Sequence, residues 1–227
     1  MTSQAPPERP SAAPLFDSIG QAYELAFESL PSQREALEWI ISTTLPSSSV
    51  LDIGSGTGNP VASVLSSAGH RVLGIDVSPA MISCAQSNVP SATFECIDIR
   101  DFRPYEQYDV VTIFFGLIAS ISQQEIKDTL TRIVKEMLKP GGVFVWVGLP
   151  ADLDEVDIKW MGRPVVVSGL SREESLRVVR EAGLEIVKEE TSKYLPERAV
   201  EAGICEREDL WEEDHLVVWA KKKPFVG

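Results

Sequence analysis

An apolar run, Val50-Leu51-Asp52-Ile53, passes directly into three alternating glycines, Gly54-Ser55-Gly56-Thr57-Gly58. Glycines in such a turn let the backbone pass close to a bound ligand without side-chain obstruction. A second apolar run, Arg71-Val72-Leu73-Gly74-Ile75-Asp76, ends in a carboxylate about 20 residues further on, where such loops place an acid against ribose hydroxyls. One carboxylate can accept two hydroxyl protons at once. A third run ends at Asp98 and a fourth at Phe114 and Phe115. His70 and His215, the only two histidines, are the side chains best matched to proton transfer near neutral pH.

These residues need rigid elements to hold them, and the pattern supplies them. Short apolar runs at 49–53, 71–75, 92–97, 108–114 and 142–148 alternate with helical stretches, which predicts parallel strands covered on both faces. Two further strands are expected at Leu184 to Val187 and Leu216 to Ala220. Asn59 is placed to cap the helix after the glycine loop with Pro60 at its first helical position, and Ser78 to cap the next one, whose first position is Pro79. Ser32 with Glu35, Ser122 with Glu125 and Ser171 with Glu174 have the spacing of reciprocal capping boxes.

The glycine spacing departs from two common phosphate-binding loops. A dinucleotide loop carries glycine at its first, third and sixth positions, and the sixth counted from Gly54 is Asn59. No Gly-Lys-Ser or Gly-Lys-Thr follows, as a P-loop requires. With 34 acidic against 21 basic residues the net charge is −13, which repels a polyphosphate backbone and argues against a nucleic-acid partner. The three cysteines, Cys84, Cys96 and Cys205, lack metal-like pairing, so no metal is expected and a reducing, cytoplasmic setting fits best. No apolar run is long enough for a membrane span. Residues 1–14, with Pro6, Pro7, Pro10 and Pro14, read as a disordered tail before a single domain over 15–224.

Taken in order, the motifs resemble those of the class I S-adenosylmethionine-dependent methyltransferases, of the small-molecule type close to methyltransferase domains 25 and 11. Leu51 to Gly58 is similar to their first motif, Gly74-Ile75-Asp76-Val77-Ser78 to the second, and Cys96-Ile97-Asp98-Ile99 to the adenine-contacting segment. Tyr108-Asp109-Val110-Val111 resembles the fourth-strand motif and Leu138-Lys139-Pro140-Gly141-Gly142 the turn before strand five. The resemblance implies a Rossmann-like, doubly wound α/β fold with a seven-stranded sheet of order 3-2-1-4-5-7-6, strand 7 antiparallel. It implies S-adenosyl-L-methionine as cofactor. The residues it assigns to that cofactor are Asp52, Gly54, Ser55, Gly56, Gly58, Asp76, Val77, Met81, Asp98, Ile99 and Phe114, with Tyr23 from an N-terminal lid that also carries Phe16. Gly54 and Gly56 would pass the methionine moiety, Asp76 would hold the ribose and Asp98 the adenine amino group, with Ile99 packed on the ring.

The implied reaction is direct displacement onto O, N or S of a small-molecule acceptor, by a monomer or homodimer. A base is needed only if the acceptor is protonated. Phe115, Trp160 and Met161 fall on the active edge as candidate acceptor contacts, and His215, opening an antiparallel last strand, returns to that edge as the candidate base. The acidic stretch from Glu197 to Asp214 reads as a solvated helix. A non-catalytic or non-methylating S-adenosylmethionine-binding protein would keep every motif, and a dehydrogenase would keep the strand and the glycine turn.

Overall fold

The structure, a computed structural model, describes residues 11–27 and 30–224. In chain order it runs α1 (Ala13–Ile19), α2 (Ala22–Ala26), α3 (Pro31–Thr43), β1 (Ser49–Ile53), α4 (Val61–Ser67), β2 (Arg71–Asp76), α5 (Pro79–Asn88), β3 (Thr93–Cys96) and β4 (Tyr108–Phe114). It continues with α6 (Gln123–Arg132), β5 (Leu138–Gly148), β6 (Leu153–Trp160), β7 (Arg163–Gly169), α7 (Arg172–Glu181), β8 (Leu184–Tyr194), α8 (Arg198–Glu201) and β9 (Glu213–Lys222). Seven strands form one sheet of order β3-β2-β1-β4-β5-β9-β8, which is the expected order with β8 and β9 as its sixth and seventh strands. β1 pairs in parallel with β2 and β4, and β9 is antiparallel to both β5 and β8.

Both faces of the sheet are covered, so the central strands are mostly apolar, with Asp52 and Thr112 among the buried polar exceptions. All of β1 is buried, and its side chains alternate between two cores. Leu51 and Ile53 join Val111, Ile113 and Phe144 beneath Ile126 and Leu130 of α6 and Val179 of α7. Val50 joins Val110, Val145 and Trp219 beneath Leu37 and Ile40 of α3, Leu65 of α4 and Ile82 of α5. A third core, with Ile19, Ala26, Phe27, Leu30, Met161, Ala199 and Ile204, joins the N-terminal helices to segments inserted after β5 and β8.

Several local expectations are corrected. Helix α1 begins at Ala13 with Pro14 in its first turn, within the span expected to be tail, and residues 1–10 lie outside the described residues. Pro60 occupies the N-cap of α4 and Asn59 makes no cap, whereas Ser78 accepts from the Met81 amide at 3.1 Å as expected. Ser122 and Glu125 form the full reciprocal box. Ser171 accepts from the Glu174 amide, but the Glu174 carboxylate turns to Arg177 and Lys127. Ser32 caps nothing, because α3 already starts at Pro31. The acidic stretch is not one helix: it holds the single turn α8, a short 3₁₀ turn at Arg207–Asp209 and the first two residues of β9.

The connection from Leu149 to Gly169 is a hairpin, β6 paired with β7 through the two-residue turn Met161-Gly162. Both turn residues have positive φ, 47° and 76°, the conformation that matches the twist of a tight hairpin. The alternation Val156, Ile158, Trp160 ahead of a glycine was a readable strand signal.

Candidate active site

The carboxyl ends of β1, β2 and β4 open into a cavity of about 970 Å³. That is near the upper end of the roughly 300–1,000 Å³ typical of ligand sites, and the topology places it where doubly wound sheets bind ligands. Of the expected residues, Tyr23, Asp52, Gly54, Ser55, Gly56, Asp76, Val77, Met81, Asp98, Ile99, Phe114 and Phe115 line it. Gly58, Trp160, Met161 and His215 do not.

The glycine loop divides its labour. A Cβ on Gly54 would fall 2.5 Å from the Gly116 Cα, so this glycine lets the β1 and β4 loops cross back to back. A Cβ on Gly58 would press on Val89, Phe94 and Ala85, so Gly58 seats the loop on α5 and β3 and does not face the cavity. Only Gly56 of the three meets open space.

Asp76 is held from both sides. Its Oδ2 accepts from the Gly56 amide at 2.9 Å and its Oδ1 from the Ser78 amide at 2.9 Å. Burial raises its pKa, and the Ser78, Gly56 and Val77 amides oppose the shift. Each oxygen keeps acceptor capacity toward the cavity.

Three buried polar atoms at the end of β1 and in the loop after it have no partner: Asp52 Oδ2, Ser55 Oγ and Thr57 Oγ1. Buried polar groups are ordinarily paired, so three orphans on one cavity wall are what a polar ligand end would satisfy. Together with the diol-sized acceptor pair on Asp76 and the open backbone at Gly56, they fit S-adenosylmethionine. Among the described residues no cluster of three His, Cys, Asp or Glu side chains is arranged for a metal.

Asp52 is 1% exposed, and its Oδ1 accepts from Thr112 Oγ1 at 2.8 Å. Desolvation pushes its carboxyl pKa up to about 7, against the Thr112 hydrogen bond and with help from the Asp76 charge. A folded value above the unfolded one, near 3.9, favours the fold while Asp52 is protonated and loses that contribution as pH rises through about 7. Asp52→Asn should therefore gain about 2 kcal/mol relative to wild type between pH 5 and pH 7. Chemical denaturation at the two pH values checks this, and a constant difference would mean that the folded protein holds Asp52 ionised at both.

The far wall is aromatic. Phe16, Tyr23 and Phe27 of the N-terminal segment line the cavity beside Phe115. Tyr23 stacks on Phe27 with centroids 4.7 Å apart, and burial, then the Glu213 and Asp76 charges, raise its pKa, so it stays a neutral phenol. Phe115 has φ of 61°, a left-handed conformation that bulky residues rarely adopt. Trp160 backs this wall instead of facing the ligand: its indole lies 6.1 Å from the Phe27 ring and donates to Glu213 at 2.7 Å. Met161 is buried in the third core.

His215 does return to this edge, but fully buried behind Phe115, whose ring centroid lies 4.6 Å away. Its Nε2 pairs with Glu213 at 3.1 Å, and its Nδ1 has no partner. His70 sits at the opposite end of the sheet, 3.5 Å from Thr44. Sequence reasoning missed Arg100, Thr57, Gln33 and Gly116 as cavity residues. Gly116 was legible as a glycine just past strand four; Arg100 and Thr57 are placed by loops with no periodic signal, and Gln33 by the first turn of α3.

Comparison with known proteins agrees with this geometry. A family model described as a methyltransferase domain matches residues 50–142. A dTDP-3-amino-3,4,6-trideoxy-alpha-D-glucopyranose N,N-dimethyltransferase of Streptomyces venezuelae is 31% identical over 104 residues, covering 46% of this chain and 44% of the relative. The chain spans about half the length of the curated relatives it matches. Among solved structures, the (4+2)-cyclase SpnF superposes with a TM-score of 0.70 at 17% identity, over 96% of this chain and 98% of that one. A Burkholderia thailandensis 1,6-didemethyltoxoflavin-N1-methyltransferase, solved with 1,6-didemethyltoxoflavin and S-adenosylhomocysteine, superposes with a TM-score of 0.61 at 21% identity, over 96% of this chain and 94% of that one. Strand order, ordered motifs and the matched segment together make this chain similar to the class I S-adenosylmethionine-dependent methyltransferases.

Proposed function

We propose that this protein transfers the methyl group of S-adenosylmethionine to an oxygen, nitrogen or sulfur of a small-molecule acceptor by direct displacement. The observation that carries the reading is one continuous cavity, reaching from Asp98 past Asp76 and Gly56 to the aromatic wall at Phe115. Exposed Glu38, Arg34, Leu25 and Val64 mark its rim. The bound cofactor supplies an electrophilic sulfonium methyl. The chain's own residues contribute alignment and exclusion of water, which suffice for a displacement with little covalent work. Asp76 and the loop orphans hold the donor in register, while Phe16, Tyr23 and Phe27 cover it. A small acceptor accords with the amino sugar and the toxoflavin precursor named for the two methyltransferases above. A charge of −13 speaks against nucleic acid.

Incubation with a metabolite extract tests the proposal: S-adenosylhomocysteine should be released as one metabolite gains the mass of a methyl group in place of hydrogen. Cofactor binding with no such gain would favour the second reading, a non-methylating protein, for which the fold shared with a cyclase gives the precedent.

Within this function His215 is proposed as the group that takes the acceptor's proton, with Glu213 fixing its tautomer through Nε2. The Phe115 ring must move for an acceptor to reach it. His215→Ala should lower turnover about 10²-fold with cofactor affinity intact, while His70→Ala changes neither. Equal turnover in the two variants would leave alignment as the source of catalysis.

A further inference from the structure

At the end of the cavity beyond Asp76, two charged side chains act as one unit. The Arg100 amide and Nε reach Asp98 Oδ1 at 2.8 and 3.0 Å, and Nε and Nη2 reach Oδ2 at 3.0 and 2.6 Å. The guanidinium is itself anchored on its other side: Nη1 donates to the Ser120 carbonyl at 3.4 Å and to Glu125 Oε1 at 3.1 Å. Glu125 is fixed in turn, because its Oε2 closes the capping box with Ser122. Both members of the pair line the cavity, with the Arg100 side chain 13% and the Asp98 side chain 20% exposed.

A carboxylate offers about four acceptor positions. Oδ1 has both of its positions taken, and Oδ2 has one filled by Nη2 while sharing Nε, so a single position on Oδ2 is left. The planar fork of arginine fixes the carboxylate plane as well as its charge, which a lysine could not do. We propose that Arg100 is a positioning residue for the purine of the cofactor, holding Asp98 so that its one remaining acceptor position takes one N–H of a 6-amino group and excludes a 6-oxo purine. The inference rests on the reading that this cavity holds S-adenosylmethionine. A 6-oxo purine puts a carbonyl where the amino group would be and carries its only nearby donor at N1. A carboxylate pinned by Arg100 cannot turn to follow that donor; a released one can.

Calorimetry with S-adenosylhomocysteine and S-inosylhomocysteine tests this without any methyl acceptor. Wild type should prefer the adenosine compound by roughly 30-fold or more, the scale of leaving one buried polar group unpaired. In Arg100→Ala the ratio should fall to within about threefold of one, and in Arg100→Lys, which keeps the charge without the fork, it should be intermediate. Asp98→Asn keeps the Ser120 and Glu125 anchors, offers an amide donor to the 6-oxo group, and should reverse the preference. Weaker binding of both compounds by Arg100→Ala at an unchanged ratio would reduce Arg100 to a structural tie and overturn the inference. So would an unchanged ratio in Asp98→Asn. If wild type bound neither compound, the cofactor reading beneath the inference would fall instead.

Discussion

Gly56→Val should abolish binding of S-adenosylhomocysteine, weakening it at least about 10³-fold, while the far-ultraviolet circular dichroism remains that of the wild type. A side chain at this position meets nothing within 4 Å, so it would project into the cavity and not into the core. Its bulk would occupy ligand space, and φ of 52° is a conformation that a β-branched residue resists. Any backbone shift that relieved the strain would also withdraw the amide that supports Asp76 Oδ2. Gly54→Val is the instructive contrast, because its Cβ would strike Gly116 and the damage should fall on stability first. Calorimetry and thermal melts of the two variants separate the effects. An undiminished thermal shift of Gly56→Val with S-adenosylhomocysteine would remove the loop from the cofactor site.

Asp76→Ala should weaken cofactor binding by about 2 to 4 kcal/mol, since two ribose hydroxyls and the amides of Gly56 and Ser78 all lose their acceptor. Folding should survive, because the helix start at α5 is also tied down by Asp17, which accepts from Ser78 Oγ at 2.5 Å and from the Ala80 amide at 3.1 Å. Titration of the purified variant with S-adenosylhomocysteine measures the loss; an affinity within twofold of wild type would mean that Asp76 serves the loop and not the ligand.

The strands that position these residues were legible because burial on both faces favours apolar runs, and β1, β2 and β4 are mainly apolar between their ends. Their carboxyl ends, hence Asp52, Asp76 and Phe114, could be placed from sequence for the same reason. What escaped reading depends on partners far apart in the chain. Asp98 looked like a free acceptor, yet its charge is met by Arg100, whose own orientation depends on Glu125 across the β4–α6 loop. Trp160 and Met161 looked like loop residues because the hairpin that contains them carries charged side chains along an exposed face, Asp157 and Lys159 among them. His215 was placed on the correct edge by the antiparallel last strand, but no pattern in the sequence shows that Phe115 screens it.

The hairpin is tethered to the loop after β4 by main-chain bonds: Ser120 N–H to Val166 O at 2.9 Å, Ser168 N–H to Ile118 O at 2.8 Å, and a bridge between Ala119 and Val167. Such tethers are indifferent to side-chain identity. A different hairpin could therefore be grafted between Leu149 and Leu170 behind the aromatic wall, with the cofactor cradle of β1 and β2 untouched, provided that its turn fills the third core as Met161 does. The cofactor loops and the backing of the aromatic wall thus meet along a seam whose bonds constrain the sequence of neither side.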